Sequence, residues 1–171
     1  MAHLLLLLRH AKSSWDDLSL ADHDRPLAKR GRRAAERVGE HLRAAGLSPD
    51  LVVCSSALRT RETLELLSLD GPRVRPEIRV QGAVYEATGS ELIALVHGLP
   101  EAVASVLLIG HNPAMEDAAT QLCGQDLGAE ADRLRQKFPT AALAVFELDG
   151  AWRQLVPSRA RLVSFRTPRG S

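Results

Sequence analysis

The run His3-Leu4-Leu5-Leu6-Leu7-Leu8 is followed at once by the charged pair Arg9-His10. A run this short, with an abrupt polar end, favours a buried strand, because parallel strands covered on both faces read as continuous apolar runs. Residues 51–54 and 104–109 have the same form and also end in polar residues. We therefore predict three buried, parallel strands.

Helical periodicity fills the segments between these strands. Apolar residues recur every three or four positions after Pro26, which we place in the first turn of a helix that ends at Gly46. Similar patterns predict helices over residues 58–67 and 113–122, and another capped by Ser90. Strand and helix thus alternate, which is typical of an α/β protein.

The end of the sequence breaks this alternation. Residues 141–148 and 152–156 flank Asp149-Gly150, a dipeptide that is a strong signal for a tight hairpin. Together these elements predict a three-layer α/β sandwich: a mostly parallel central sheet, helices on both faces and an antiparallel edge hairpin. We expect residues 1–171 to form one domain.

Composition excludes several classes of protein. The chain has 171 residues, a formal charge of +1, 45% apolar and 25% charged residues, values that are ordinary for a soluble domain. They exclude a disordered tail, a collagen-like fibre and a strongly basic nucleic-acid coat. Cys54 and Cys123 lie in apolar runs without metal-ligand spacing. We therefore expect two buried thiols. The apolar run of residues 4–8 is too short for a signal peptide or a membrane span, so we also expect a cytoplasmic protein that does not bind membranes.

The predicted strands end in residues that suit an anion. Arg9-His10 follows the first strand, Ser55-Ser56 with Arg59 the second, and residues 110–112 (Gly-His-Asn) the third. Ligands of open α/β sheets bind beyond the carboxyl ends of the strands, so these groups should meet at one edge. No carboxylate stands at any of the three ends. Guanidinium forks match phosphate oxygens, and the sequence therefore predicts a phosphate site.

A histidine in such a site suits phosphoryl transfer. To attack phosphorus, His10 must be neutral, because an imidazolium has no lone pair. The flanking arginines should lower its pKa and attract the phosphoryl group. His111 would donate a hydrogen bond to the transferring oxygens. We expect no metal at these histidines, since no further ligand stands at suitable spacing.

Several segments resemble one protein family. Leu8-Arg9-His10-Ala11-Lys12 looks like the Arg-His-Gly signature of the histidine phosphatase superfamily. Residues 55–63, with Arg59 at the phosphate-binding position, and residues 109–113 resemble its second motif and the motif of its second histidine. Segments most similar to the SixA-type phosphohistidine phosphatase branch are residues 9–15, 22–27 and 138–142.

The resemblance implies a phosphoglycerate mutase-like fold and a two-step phosphatase without metal or cofactor. His10 would accept the phosphoryl group and water would then hydrolyse the phosphohistidine, while Arg9, Arg59 and His111 hold the oxygens. The SixA branch acts on phosphohistidine of a signalling protein, whereas larger relatives act on phosphosugars and phosphoglycerate. The expected partner is therefore a phosphorylated protein of the histidine phosphotransfer type or a small phosphate ester.

Two departures bear on this expectation. The signature glycine is Ala11 here, which keeps a backbone N–H for phosphate contact but must avoid glycine-only angles. Larger relatives carry an acidic proton donor near Glu86, our candidate acid, whereas the SixA branch often has no clear acid there. A weak or missing acid favours N–P substrates, whose protonated nitrogen leaves readily. We add Lys12, Ser13 and Asn112 as candidate substrate-binding residues.

Residues 25–43 form a basic segment that the balanced net charge hides. It has no aromatic residue to stack on a base, so we expect no nucleic-acid partner. It is either a solvated helix face or a guide for an acidic phosphoprotein. A phosphatase of a small metabolite and a non-catalytic phospho-ligand module remain as alternatives. The basic residues are Arg25, Lys29, Arg30, Arg32, Arg33, Arg37 and Arg43.

Overall fold

One six-stranded sheet runs through the centre of the protein, with the strand order β3-β2-β4-β1-β5-β6. The computed structural model describes residues 2–71 and 75–169. Neighbours among β1 to β4 are parallel, whereas β5 is antiparallel to both β1 and β6. The strands are β1 (His3–Arg9), β2 (Leu51–Ser55), β3 (Glu77–Gln81), β4 (Ser105–Gly110), β5 (Leu143–Leu148) and β6 (Ala160–Arg166).

Helices cover both faces of this sheet, so the predicted three-layer sandwich is confirmed. Leu5 and Leu7 pack on one face in a cluster that takes in α4, α5 and α6, while Leu6 and Leu8 pack on the other face with residues of α1 and α2. Because both faces of β1 are covered, residues 4–8 of this strand are all apolar. The helices are α1 (Lys29–Ala44), α2 (Leu58–Leu67), α3 (Gly82–Tyr85), α4 (Gly89–His97), α5 (Ala114–Cys123) and α6 (Ala129–Gln136).

The second strand of the predicted hairpin was wrong. Trp152–Gln154 is a short 3-10 turn, and the strand that pairs with β5 is Ala160–Arg166. Trp152 and Leu155 are both buried, and the Trp152 indole N–H donates to the carbonyl of Val103 at 2.8 Å. These apolar residues fill the core from a turn, and their pattern is the same as that of a buried strand. The pattern therefore could not show that the next strand begins later.

Two predicted helix starts were also wrong. Pro26 lies before α1 in an extended segment, where its carbonyl accepts a hydrogen bond from the N–H of Ser14 at 2.8 Å. The cap of α4 is Thr88 rather than Ser90: its hydroxyl accepts from the N–H of Glu91, whose carboxylate accepts from the N–H of Thr88. This reciprocal pair satisfies two N–H groups of the first turn, which Ser90 could not do.

Both cysteines are buried free thiols, as predicted. Burial raises the pKa of Cys54 to about 12, so this thiol is inert as a nucleophile. In the part of the chain that the structure describes, no helix is long and apolar enough to cross a bilayer.

Gly39 lets α1 cross closely over the end of α2, the helix whose first turn carries Arg59. A Cβ at position 39 would lie 2.2 Å from the carbonyl oxygen of Leu67. Because this contact is with backbone, α2 itself would have to move to admit a side chain. The close approach thus fixes the helix that bears a site residue.

We expect Gly39→Ala to lower the free energy of unfolding by about 1–3 kcal/mol through this clash. Helix propensity alone predicts the opposite sign, since alanine stabilises a helix interior by about 1 kcal/mol relative to glycine. Urea unfolding measures the change, with Glu40→Ala, an exposed neighbour on the same helix, as the control. A Gly39→Ala protein as stable as the unmodified one would contradict the proposed packing.

Candidate active site

The carboxyl ends of β1, β4 and β2 meet at one edge of the sheet, as the sequence predicts. Arg9 is paired with Gly110 across β1 and β4, and the N–H of His10 continues the ladder by donating to the carbonyl of Gly110 at 3.0 Å. The rings of His10 and His111 therefore lie 5.2 Å apart between centroids. Arg59 reaches the same place from the first turn of α2.

His10 is a buried, neutral imidazole with one nitrogen turned to the site. Its Nδ1 lies 2.7 Å from the carbonyl oxygen of Ala11, to which it donates, so Nε2 carries the lone pair. Arg59 Nε–H faces that lone pair at 3.4 Å. Burial, and to a smaller extent His111, Arg59 and Arg9, lower the pKa of His10 to about 3. The sequence predicted this direction from the arginines, but burial is the larger cause.

His111 is held by the hydroxyl of Ser55. His111 Nε2 lies 2.7 Å from Ser55 Oγ, which also accepts the N–H of Ala57 at 3.3 Å. When the Ser55 hydroxyl donates to Nε2, the proton of the neutral ring is on Nδ1. Burial first, and then Arg59, lower the pKa of His111 to about 4. His111 is thus neutral, and in the tautomer that accepts the Ser55 hydroxyl at Nε2 its Nδ1–H is a donor.

Arg9 is anchored by a backbone carbonyl. Its Nη1 donates to the carbonyl of Phe138 at 3.0 Å, and Nδ2 of Asn112 donates to the same oxygen at 2.9 Å. Asn112 also bonds Glu116 in the first turn of α5, so in this state it positions its neighbours. Arg9 Nε and His111 Nδ1 are buried and have no partner among the described residues. Two unpaired buried donors suit a ligand rich in acceptor oxygens.

The nucleophile segment is braced from behind by Ala141. Its N–H is shared between the carbonyls of Arg9 at 3.1 Å and His10 at 3.0 Å. Ala141 has φ +60, a left-handed conformation that alanine adopts only at a cost of about 1–2 kcal/mol. The brace therefore holds the end of β1 at the expense of local strain.

Asp22 is a site residue that the sequence analysis missed. It lies in a 3-10 turn, Asp22–Asp24, and its carboxylate accepts hydrogen bonds from Tyr85 Oη at 2.6 Å, Arg25 Nη2 at 2.8 Å and Arg59 Nη2 at 3.0 Å. The Tyr85 hydroxyl, followed by Arg25 and Arg59, holds the pKa of Asp22 well below its usual range. The site thus contains an ionised carboxylate that strand-end reasoning did not place there.

The structure brings Tyr85, rather than its neighbour Glu86, into contact with the site. The Tyr85 ring packs edge-on against His111 at 5.4 Å and against His23 at 4.8 Å. Glu86 is exposed, and no hydrogen bond or ion pair joins it to the described site residues. The assignment of Glu86 as the acid stays a prediction. Asp22 and Tyr85 can be read in the sequence, but no spacing rule connects them with each other or with the histidines.

The remaining predicted residues line the loop after β1. The Ala11 N–H donates to Thr63 Oγ1 at 3.1 Å, so in this state it is taken up by α2 and is not free for a phosphate. Ala11 avoids positive φ, as expected. Lys12 is half-buried, and its carbonyl accepts from the N–H of Ala28. Ser13 is buried and accepts from Arg25 Nη1 at 3.2 Å.

In residues 2–71 and 75–169, no group of three or more His, Cys, Asp or Glu side chains is placed to hold a metal ion. The histidines of the site instead face arginines and a serine hydroxyl. What the arrangement offers is a neutral nucleophilic nitrogen amid cationic donors, which suits attack on a phosphoryl group.

The chain is similar in sequence to a known family and to proteins of other organisms. The family model of the histidine phosphatase superfamily (branch 1) matches residues 5–81. An uncharacterized protein of Mycobacterium tuberculosis strain H37Rv is 38% identical over 165 residues, which cover 95% of this chain and 100% of that protein.

Solved structures extend this likeness over the whole chain. A candidate phosphohistidine phosphatase SixA from Nakamurella multipartita is 32% identical, covers 98% of this chain and 97% of its own, and superposes with a TM-score of 0.86. Another, from Agrobacterium tumefaciens, is 31% identical, with coverage of 97% and 98% and a TM-score of 0.82. These matches show that the chain belongs to the histidine phosphatase superfamily, in its SixA-like branch, and is a phosphatase of phosphorylated substrates.

Proposed function

We propose that this protein is a phosphohistidine phosphatase of the cytoplasm that removes the phosphoryl group from a histidine of a signalling protein. The observation that carries the proposal is the state of His10. Its ring is buried and neutral, Nδ1 is fixed by the Ala11 carbonyl, and Nε2 faces the guanidinium of Arg59. The likeness to SixA candidates supports the phosphohistidine substrate.

In the first step, the lone pair of His10 Nε2 forms a bond to phosphorus while the P–N bond of the substrate breaks. The electron pair of that bond goes to the leaving nitrogen. His10 becomes a cation, whose Nδ1–H is already directed at a carbonyl oxygen. Arg9, Arg59 and His111 donate to the phosphoryl oxygens, where negative charge concentrates in the transition state.

In the second step, water attacks the phosphorus of the phosphohistidine on His10. The P–N bond breaks, its electron pair returns to Nε2, and inorganic phosphate leaves with the oxygen of the water. The ring returns to its neutral form because burial disfavours the imidazolium. The same residues therefore serve both steps.

The carboxylate of Asp22 favours a nitrogen leaving group over an alkoxide. Because Asp22 is ionised, it has no proton to give to an alkoxide. The histidine of a phosphohistidine can instead be protonated before the bond breaks. Glu86 would be the donor for alkyl phosphates, and the proposed mechanism does not depend on it.

The surface around the site supports a protein substrate. Trp15 and Leu18, on the loop that leads to Asp22, are 59% and 84% exposed. The basic segment of residues 25–43 is not uniform, because Arg25 bonds Asp22, Arg32 pairs with Glu62 and Arg43 bonds the end of α2. Within residues 25–43, the exposed basic residues without a partner among the described residues are Lys29, Arg30, Arg33 and Arg37.

We expect His10→Ala to abolish the enzyme-bound phosphate and to lower kcat/KM by about 10³-fold or more, since the nucleophile is lost. The measurement is a rapid-quench assay with a radiolabelled phosphohistidine protein, in which the enzyme label is acid-labile and base-stable. His41→Ala, a histidine outside the site, is the control. Full activity in His10→Ala would refute the nucleophile.

Turnover of phosphosugars and binding of inorganic phosphate, measured beside turnover of the phosphohistidine protein, decide between the alternative functions. Turnover of phosphosugars without turnover of phosphohistidine would support a phosphatase of small metabolites. Binding of inorganic phosphate without any turnover would support a phospho-ligand module and would overturn the proposed function.

The ring protons of His10 and His111 should keep their neutral chemical shifts from pH 8 down to pH 5, because the pKa values are lowered to about 3 and about 4. An NMR titration measures this, with the signals assigned by their loss in His10→Asn and His111→Asn. In urea both rings should titrate near pH 6.5. A midpoint near 6.5 for His10 in the folded protein would contradict its burial as a neutral group.

We expect kcat/KM for a phosphohistidine protein to fall as ionic strength rises, while kcat/KM for p-nitrophenyl phosphate changes much less. Exposed charges steer a large acidic partner over distances that salt screens. Arg33→Glu combined with Arg37→Glu should remove most of the salt effect on the protein substrate. Arg153→Glu, at the opposite edge of the sheet, is the control. Equal salt sensitivity for the two substrates would argue against steering by α1.

A further inference from the structure

The Asp22 carboxylate lies at the mouth of the site, directly beyond the arginine that faces the nucleophile. Arg59 Nε is 3.4 Å from His10 Nε2, and Arg59 Nη2 is 3.0 Å from Asp22 Oδ2. His10 is 6% exposed, whereas the side chain of Asp22 is 51% exposed. The carboxylate thus lies across Arg59 from the buried nucleophile and is nearer to solvent.

This carboxylate is held in place independently of Arg59. Its Oδ1 accepts from Arg25 Nε and Nη2 at 3.2 and 2.8 Å, and its Oδ2 from the Tyr85 hydroxyl at 2.6 Å. Arg25 is in turn fixed by the Ser13 hydroxyl and by Trp15, whose ring centroid lies 3.5 Å from the guanidinium carbon. When a phosphoryl group accepts the N–H groups of Arg59, Asp22 keeps its hydrogen bonds to Arg25 and Tyr85. Its Oδ2 can then accept another hydrogen bond in place of the one from Arg59.

In-line displacement places the leaving group opposite the attacking nitrogen. Attack by the buried Nε2 of His10 therefore drives the leaving group outward, toward the mouth where Asp22 and Tyr85 lie. A leaving group that carries an N–H can donate it to the Asp22 carboxylate. A leaving group that needs a proton cannot obtain one from Asp22, because this carboxylate is ionised.

We infer that Asp22 is a specificity-determining residue that accepts a hydrogen bond from the ring N–H of the substrate phosphohistidine and so favours its protonated form. The inference rests on the proposed function. In the protonated ring, one nitrogen bears phosphorus and the other bears the hydrogen that faces Asp22. As the P–N bond breaks, its electron pair neutralises the ring, which leaves as imidazole with that hydrogen still in place.

Two consequences distinguish this role from general support of the site. An anion within about 4–6 Å raises the pKa of a cationic group, by about 1–3 units for close pairs. Asp22 therefore keeps the bound substrate ring protonated at a higher pH than it would be without the carboxylate. Substrates without a ring N–H gain nothing from this effect.

The test compares the pH dependence of kcat for the unmodified protein and Asp22→Asn, with a phosphohistidine peptide and with p-nitrophenyl phosphate. The alkaline limb for the peptide reports deprotonation of the bound substrate ring. We expect this limb to lie about one pH unit lower in Asp22→Asn, and near its original place in Asp22→Glu, which restores a carboxylate. Asp24→Asn, an exposed neighbour in the same turn, is the matched control and should leave the limb unmoved.

The substrate pair separates the possible results. A limb that is unmoved in Asp22→Asn overturns the inference and leaves the proposed function standing. An equal shift with p-nitrophenyl phosphate also overturns it, because the titrating group would then belong to the enzyme. Failure of the unmodified protein to hydrolyse the phosphohistidine peptide overturns the proposed function and the inference together. Circular dichroism of each variant shows whether a lost activity reflects lost folding.

Discussion

The parallel pairing of β4 with β1 on one side and β2 on the other is the constraint on which the site depends. Parallel strands need long crossover connections, so β1, β2 and β4 all end at the same edge of the sheet and are each followed by a loop there. The ladder between Arg9 and Gly110 then fixes His10 beside His111. The helix after β2 begins at the same edge and brings Arg59 to them. The sheet thus brings the two histidines and Arg59 together, and loops outside the sheet hold them in place.

Burial and charge play separate parts at this edge. Removal of water from the two histidines keeps both rings neutral, and the arginines reinforce that state. The arginines would repel one another if nothing balanced them. Asp22 supplies the balance by bonding Arg25 and Arg59 in the free protein. The site therefore holds donors for phosphate close together while a carboxylate at its mouth reduces their repulsion.

The sequence predicted the sheet, the strand ends and the histidine–arginine cluster, because buried parallel strands have an apolar pattern that local reading detects. It missed Asp22 and Tyr85, because they reach the site from a loop and a short helix whose positions only the tertiary fold determines. It misplaced β6 for a related reason, since Trp152 and Leu155 are apolar residues of a turn. The helix α6 was missed too: its eight residues are mostly polar, and Leu134 is the one large apolar residue among them.

The support behind the nucleophile is made largely of backbone atoms. The carbonyl of Phe138 takes Arg9 and Asn112, and the N–H of Ala141 takes the carbonyls of Arg9 and His10. Such bonds depend on the length and path of residues 138–141 more than on which side chains they bear. A residue gained or lost in this stretch should therefore displace the end of β1, and the burial of Phe138 and Ala141 also limits which side chains fit there. The turn before α6, where Leu127 is 94% exposed, is free of that requirement and can change in length without moving the reacting nitrogen.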